Sequence, residues 1–190
     1  MFETDRLILR QWQSSDLRPF ADLNACKRVC EFLPKTLTVA ESTEMAERIM
    51  AHFDRHGFGL YAVAQKDGEE FIGFTGLNIP SFEAHFMPAV EIGWRLAYKH
   101  WGCGYATEAA QAVLAHAFHT LNPPEIVSFT VPENIRSRRV MEKIGLHHTE
   151  KDDFDHPKLP DGHRLKRHVL YRLKNTQAQF GVPEAVSPDA

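Results

Sequence analysis

The chain has 190 residues, a length that fits one domain whose core is large enough to fold without disulfides or a structural metal. Its formal net charge is −3 and its isoelectric point is about 6.4, so no global positive field attracts nucleic acid and we expect no such partner. Cys26, Cys30 and Cys103 form no CxxC pair, and no apolar run is long enough to cross a bilayer. These features predict a cytoplasmic protein with no metal site, no signal peptide and no membrane anchor.

The first third of the chain predicts one strand and two helical regions. Residues 6–10 alternate apolar and polar side chains as a short strand does, and residues 16–32 follow a helical pattern. Thr38 and Glu41 form a capping box, and apolar residues follow it at helical spacing until Gly57, where a helix is expected to stop.

The middle of the chain predicts three strands followed by a long helix. The strands are expected at residues 60–64, 71–77 and 90–96, and the turn dipeptide Asp67-Gly68 joins the first two into a hairpin. The three should form an antiparallel meander. Apolar residues then recur at steps of three and four from Ala106 to Leu121, which predicts a helix with a wide apolar face.

The last part predicts a strand at residues 126–131, a helix that begins at Asn134 and stops at Gly145, and two strands at residues 147–153 and 165–173. No internal repeat or linker divides the chain. We therefore expect one domain over residues 1–174 and a disordered tail over residues 175–190.

The most informative segment for function is the passage from the third meander strand into the long helix. Gly102 and Gly104 lie two residues apart directly before the predicted helix start. Amides at a helix N-terminus are unpaired donors, and the helix dipole adds partial positive charge, so such a turn suits a diphosphate. Lys99 and His100 can add local charge. Two glycines alone would equally suit an ordinary strand-to-helix turn.

A longer stretch of sequence resembles a known family. The string KHWGCGYA resembles the R/Q-x-x-G-x-G/A acetyl-CoA loop of the GNAT acetyltransferase superfamily, and EIGW before it resembles the strand that leads into that loop. IVSFTVPENIRSRRVMEKIGL resembles the strand and Asn-led helix that follow. From residue 3 to residue 173, including the opening TDRLILR and the closing HVLYRL, the chain is similar to the branch that acetylates N-termini of ribosomal proteins.

The resemblance implies an α/β (α+β) fold, with a mixed, mainly antiparallel, centrally splayed sheet of about seven strands and helices on both faces. It implies acetyl-CoA as cosubstrate. Lys99, which stands where Arg or Gln is usual, would help to hold the diphosphate together with backbone amides of the loop. The full set of implied cofactor-binding residues is Ile92, Gly93 and Trp94 toward the pantetheine arm, Lys99, Trp101, Gly102, Cys103, Gly104, Tyr105 and Ala106 around the diphosphate, and Asn134 near the pantetheine.

Two residues are candidates for catalysis. Glu91 lies on the strand where members of the superfamily often carry a general base, although a solvated strand residue fits the pattern equally well. Met141 occupies the place where many members have a tyrosine that protonates the departing thiolate. Ser137, three residues after Asn134, is the alternative donor, and its plain interpretation is helix first-turn solubility.

The predicted reaction is direct attack of a primary amine on the thioester, without a metal and without a covalent enzyme intermediate. The branch resemblance favours the N-terminal α-amine of a protein or peptide as acceptor. A small-molecule amine acetyltransferase and a catalytically silent acyl-CoA-binding module are the alternatives. Either a monomer or a homodimer fits the sequence.

Overall fold

The computed structural model describes residues 1–175, so nearly all of the tail predicted at residues 175–190 lies outside the described residues. Three 3₁₀ turns accompany the regular elements, at Ser14–Asp16, Tyr98–His100 and Glu150–Asp152. The helices are α1 (Leu17–Ala25), α2 (Val39–His56), α3 (Tyr105–Thr120) and α4 (Ile135–Lys143). The strands are β1 (Phe2–Glu3), β2 (Leu7–Arg10), β3 (Leu60–Gln65), β4 (Phe71–Asn78), β5 (Val90–Leu96), β6 (Glu125–Thr130), β7 (His147–His148), β8 (Phe154–Asp155) and β9 (Arg167–Lys174).

The strands form one mixed sheet in the order β1-β2-β3-β4-β5-β6-β9-β7, and β8 also pairs with β9. Every pairing is antiparallel except β5 with β6. Helices α1 and α3 both pack on β4, and α4 packs on β6. The fold class predicted from the sequence is therefore confirmed.

The strand number differs from the expected seven. The two-residue β1 pairs with β2 but is too short to give an alternating pattern. Of the strand expected at residues 147–153, only β7 forms, because the 3₁₀ turn Glu150–Asp152 ends it, and β8 begins just beyond the expected range. Thr149 and Asp152 close this turn through a side-chain hydrogen bond of 2.6 Å, a local alternative to the strand ladder.

The helical region expected at residues 16–32 is also shorter, because α1 ends at Ala25. The carbonyl of Asn24 accepts hydrogen bonds from the Leu37 amide at 3.0 Å and from the Cys30 thiol, so the chain turns back instead of extending the helix. The start of α2 follows the prediction: Thr38 and Glu41 form a reciprocal capping box, and Gly57 ends the helix in the left-handed conformation.

The feature of the sheet that positions the site is the divergence of β5 and β6. Their parallel register holds only for Val90 with Ile126 and Glu91 with Val127, although both strands continue beyond these pairs. A side-chain hydrogen bond of 2.8 Å, from Ser128 to the Ile92 carbonyl, is the last link between them. Past this point the strand edges separate, and β5 has backbone groups that face no neighbouring strand.

Candidate active site

A cavity of about 960 Å³ lies at the divergence of β5 and β6. Its walls come from the loop after α1, from β4, β5 and β6, from the first turns of α3 and α4, and from the segment before β9. Residues that the sequence places far apart therefore share one space. Of the predicted site residues, those that line it are Glu91, Gly93, Trp94, Trp101, Gly102, Gly104, Tyr105, Ala106, Asn134 and Ser137.

The glycine loop forms one end of the cavity. Gly102 and Gly104 have φ values of 78° and 83°, a region that glycine enters without steric cost, and a Cβ built on Gly102 would meet no atom within 4 Å. The first hydrogen bond of α3 joins the Glu108 amide to the Gly104 carbonyl, so the amides of residues 105–107 have no acceptor inside the helix. An open loop beside free amides at a helix start fits a diphosphate.

The loop is held in place by the N-terminal segment. The Arg6 guanidinium pairs with Glu108 at 2.6 Å and donates to the Cys103 carbonyl at 3.0 Å, and it also lies over the Tyr105 ring. The Arg6 amide and the Thr4 hydroxyl both donate to the same carboxylate, at 3.0 and 2.5 Å. This cluster raises the pKa of Arg6 and, despite some burial, lowers the pKa of Glu108, so both stay charged at neutral pH. The contacts of Arg6 and Thr4 with Glu108 were not predicted from the sequence, because the partners are about a hundred residues apart.

The two residues expected to add charge before the loop do not supply it there. The Lys99 ammonium forms an ion pair with Glu70, outside the residues that line the cavity. His100 lines the cavity, but burial, followed by the nearby Lys99, lowers the pKa of its ring below 6.5, so it is neutral at pH 7. Trp101 donates its indole N–H to the Leu96 carbonyl at 2.8 Å and stacks under Arg136. Arg136 and Arg139 of α4 also line the cavity, and Arg136 forms an ion pair with Glu31.

The start of α4 forms the second wall. Asn134 caps the helix, with its carbonyl oxygen accepting from the Ser137 amide at 3.3 Å and its amide group donating to Thr130 and to the Ser137 hydroxyl. The side chain expected near the pantetheine is thus also engaged in capping. The Ser137 hydroxyl accepts from Asn134 and donates to no acceptor among the described residues, so its hydrogen is available to a ligand. Met141 is buried and lines the same cavity.

Glu91 lines the cavity, on the face of β5 that it shares with Gly93 and Arg95. We call these three residues the β5 floor. The Asn78 amide donates to the Glu91 carboxylate at 3.4 Å, and burial raises the pKa of this carboxyl to about 7 against that opposing hydrogen bond. A Cβ built on Gly93 would meet no atom within 4 Å, so the floor between the other two side chains is open. On the opposite face of β5, Ile92 and Leu96 are buried, whereas Trp94 is half-buried and also lines the cavity.

Ile92, Lys99 and Cys103 do not line the cavity, and Cys103 is exposed within the glycine loop. The loop after α1 contributes Phe32 and Leu33, and the segment before β9 contributes His156 and Leu159. In the loop between β4 and β5, Phe82 and Phe86 pack against Phe129 and Phe154.

Comparison with known proteins identifies the family of this chain. The family model described as an acetyltransferase (GNAT) domain matches residues 6–147. A Bacillus subtilis (strain 168) protein named as an uncharacterized N-acetyltransferase, YnaD, is 28% identical over 170 residues, which cover 90% of this chain and 94% of the relative.

Two solved structures place the fold in the same group. The acetyltransferase from Agrobacterium tumefaciens strain C58 superposes with a TM-score of 0.73 at 29% identity, covering 92% of this chain and 94% of that one. The ribosomal-protein-S5-alanine acetyltransferase from Vibrio fischeri superposes with a TM-score of 0.71 at 19% identity, covering 92% and 96%, which shows likeness of fold.

The fold and the site thus define an acyltransferase, and the chain belongs to the GNAT acetyltransferase family. It is an acetyl-CoA-dependent N-acetyltransferase. In residues 1–175, no helix is long and apolar enough to cross a membrane, and no group of three or more acidic, histidine or cysteine side chains is placed to hold a metal ion.

The first prediction tests the glycine loop. Gly104→Val should lower affinity for coenzyme A at least tenfold, because a side chain at this helix start blocks the approach of the diphosphate to amides whose charge-assisted bonds are worth about 1.5–3 kcal/mol each. Titration calorimetry measures the affinity. Gly57→Val is the matched control, because Gly57 has the same left-handed backbone, with φ 75°, at the far end of α2. Equal coenzyme A affinity in the two variants would remove the loop from the cofactor site.

The second prediction uses the three thiols. Cys103 is exposed, Cys26 is half-buried and Cys30 is buried with its thiol donating to the Asn24 carbonyl. Burial also raises the pKa of Cys30, which lowers its thiolate fraction. Iodoacetamide should therefore modify Cys103 first, and coenzyme A should slow that reaction because Cys103 lies between two cavity-lining glycines. Peptide mapping gives the three rates. A Cys103 rate that is unaffected by saturating coenzyme A would contradict the placement of the loop.

The third prediction concerns stability. Because the folded protein holds a proton on Glu91 up to about pH 7, whereas the unfolded chain releases it near pH 4.5, the wild-type protein loses stability through this window. Glu91→Gln lacks this loss, so its stability relative to wild type should rise between pH 4.5 and pH 7, by up to about 3 kcal/mol. Urea unfolding at several pH values measures it. Glu47→Gln, at an exposed site on α2, is the control, and a flat difference for Glu91→Gln would show that the carboxyl is not desolvated.

Proposed function

We propose that the acceptor is an α-amine, at the N-terminus of a protein or peptide, and that Glu91 is its general base. The observation that carries this proposal is the carboxyl of Glu91, which lines the cavity and whose pKa burial raises to about 7. A general base works best when its pKa lies near the operating pH. An ordinary exposed glutamate, with a pKa near 4.3, would be a far weaker base.

The pKa of the base also discriminates between amines. An α-ammonium has a pKa of about 7.7–8.0, so proton transfer to a base of pKa about 7 is uphill by roughly tenfold. A lysine-type ammonium, with a pKa of about 10.4, would make the same transfer unfavourable by more than a thousandfold. Glu91 is therefore matched to an α-amine and poorly matched to an alkylamine.

The charges around the cavity support the same acceptor class. Among the described residues that line it, Glu91 is the only acidic side chain, whereas the basic ones are Arg28, Arg95, Arg136, Arg139, Lys143 and Lys158. A polyamine carries several positive charges and would need several carboxylates to replace its hydration. A peptide N-terminus brings one positive charge, which a single carboxylate can meet.

In the proposed reaction, Glu91 takes one proton from the α-ammonium, and the neutral amine attacks the thioester carbonyl carbon. A C–N bond forms, the C–S bond breaks, and the second amine proton ends on sulfur. The Ser137 hydroxyl, whose hydrogen is free, donates to the departing sulfur. A thiol with a pKa of about 8.5 needs only this weak assistance, which fits a site where Met141 stands in the place of a dedicated acid.

The fourth prediction joins acceptor and base. Wild-type protein should acetylate peptides with a free N-terminus faster than the same peptides with a blocked N-terminus and a free lysine. Glu91→Gln should keep coenzyme A affinity but lower kcat/KM at pH 7 by about 10²- to 10⁴-fold, the range for loss of a general base. The deficit should shrink as pH rises toward 8, because neutral α-amine then forms without help. The measurement is kcat/KM against pH for both proteins, with the release of the coenzyme A thiol as the readout.

The comparison protein for this test is Glu47→Gln, which should reproduce the wild-type profile. Profiles for Glu91→Gln and wild type that run parallel within a factor of about three would exclude Glu91 as the base. Preferential acetylation of the lysine peptide or of a polyamine would replace the proposed acceptor by a small-molecule or side-chain amine.

A further inference from the structure

We propose that the acceptor carries a carboxylate near its amine and that Arg95 binds this group, so that the preferred substrate is an N-terminus followed closely by an acidic residue. This inference deepens the α-amine acceptor proposed above and rests on it for the identity of the amine. It concerns a specificity-determining residue, because Arg95 touches the acceptor and not the atoms that react.

Arg95 is a charged side chain that no acid neutralises. It lies on β5 within the cavity wall, and no carboxylate among residues 1–175 forms an ion pair with it. By contrast, Arg10 at the other edge of the core has Asp16 as a bidentate partner at 2.6 and 2.8 Å. The burial of Arg95 lowers the pKa of its guanidinium, which is the sign of a charge removed from water without compensation.

The geometry leaves part of the guanidinium unused. One nitrogen, Nη1, donates to the Asn24 side-chain oxygen at 2.6 Å, and the guanidinium carbon lies 5.4 Å from the centre of the Phe74 ring. Nε and Nη2 donate to no acceptor in the described part of the chain, and Arg95 lines the cavity. Two neighbouring N–H donors along one edge of a guanidinium match the two oxygens of a carboxylate.

The anchoring contacts show that Arg95 is held in place before any ligand arrives. Asn24 is fully buried, and its amide group donates to Ser42 at 3.3 Å, so the end of α1 fixes the oxygen that receives Arg95. The ring of Phe74, opposite Arg95 on β4, covers one face of the side chain. A pre-positioned guanidinium loses little conformational entropy on binding an anion.

The distance along β5 selects the spacing of the acceptor's two groups. Glu91 and Arg95 are four residues apart on one face, which is about 13 Å between their Cα atoms at about 3.3 Å per residue, and the side chains shorten this gap. Gly93 leaves the floor between them open. An extended peptide spans about 3.3–3.6 Å per residue, so about 13 Å corresponds to about four residues, and the lengths of the Arg95 and acceptor side chains reduce this to about three.

The phosphates of coenzyme A are a less suitable partner for this guanidinium. The amides that fit the diphosphate lie at the start of α3, and Arg136 and Arg139 are on the α4 wall beside that loop. Arg95 instead projects toward the end of α1, on the face of β5 that carries Glu91. The cation therefore belongs to the acceptor half of the cavity.

The experiment compares two peptides that differ in one charge, Ser-Ala-Asp-Ala-Ala-amide and Ser-Ala-Asn-Ala-Ala-amide. Wild-type protein should prefer the aspartate peptide by about 10- to 100-fold in kcat/KM, the factor that hydrogen bonds to a charged group provide. Arg95→Gln should abolish the preference by raising KM for the aspartate peptide to the value for the asparagine peptide. Arg95→Lys should restore part of the preference.

Arg18→Gln, at an exposed position on α1, is the matched control and should behave as wild type. A wild-type protein that treats both peptides alike would overturn the inference without any variant. An equal fall for both peptides in Arg95→Gln would assign Arg95 a structural role, and weaker coenzyme A binding in calorimetry would assign it to the cofactor. Either result also overturns the inference.

A second acceptor pair separates this inference from the proposed function. 6-Aminohexanoate and its amide carry an alkylamine with and without a carboxylate. If alkylamines prove to be the better acceptors, but the Arg95-dependent preference for the carboxylate persists in this pair, the inference about Arg95 stands and the α-amine proposal fails. If α-amines are acetylated with the Glu91 pH profile but without a charge preference, the α-amine proposal stands and the inference fails.

Discussion

The active site depends on the short parallel contact between β5 and β6. The two strands share register at only two residue pairs, and the Ser128 hydroxyl closes the contact with its bond to the Ile92 carbonyl. Beyond it, the separation of the strands opens a cavity inside an otherwise continuous sheet and leaves backbone groups of β5 without a strand partner. Such groups need a polar partner, and an extended ligand arm can supply one. The same divergence brings the α3 and α4 N-termini to one space.

Much of this arrangement could be predicted from the sequence, because its signals are local. The Thr38 capping box, the end of α2 at Gly57 and the Asn134 cap each depend on residues within three or four positions, and the structure contains all three. Strand geometry puts Glu91, Gly93 and Arg95 on one face of β5, and all three line the cavity. The short strands β1 and β8 were not predicted, because two residues are too few to show a periodic pattern and each strand depends on its pairing with a neighbour.

The pKa shifts, ion pairs and hydrogen bonds of individual site residues could not be predicted, because they depend on partners that are distant in the sequence. The pKa of Glu91 near 7 is a consequence of burial by several elements, and the pattern of β5 alone allowed a solvated carboxylate. Lys99 was expected beside the cofactor loop, but Glu70, twenty-nine residues earlier, holds it elsewhere. Arg95 is notable for its hydrogen bond to Asn24 and for the lack of an acidic partner among the described residues, and neither feature can be inferred from the linear sequence.

The cluster of Arg6, Thr4 and Glu108 links the beginning of the chain to the cofactor loop across more than a hundred residues. During synthesis the N-terminus leaves the ribosome first, yet its partner on α3 is made only after more than half of the chain. Closing so large a loop carries an entropic cost that local contacts do not repay, and contacts of this range form slowly. The contact that holds the cofactor loop to the N-terminal segment can therefore form only after the meander between the two partners has been synthesised.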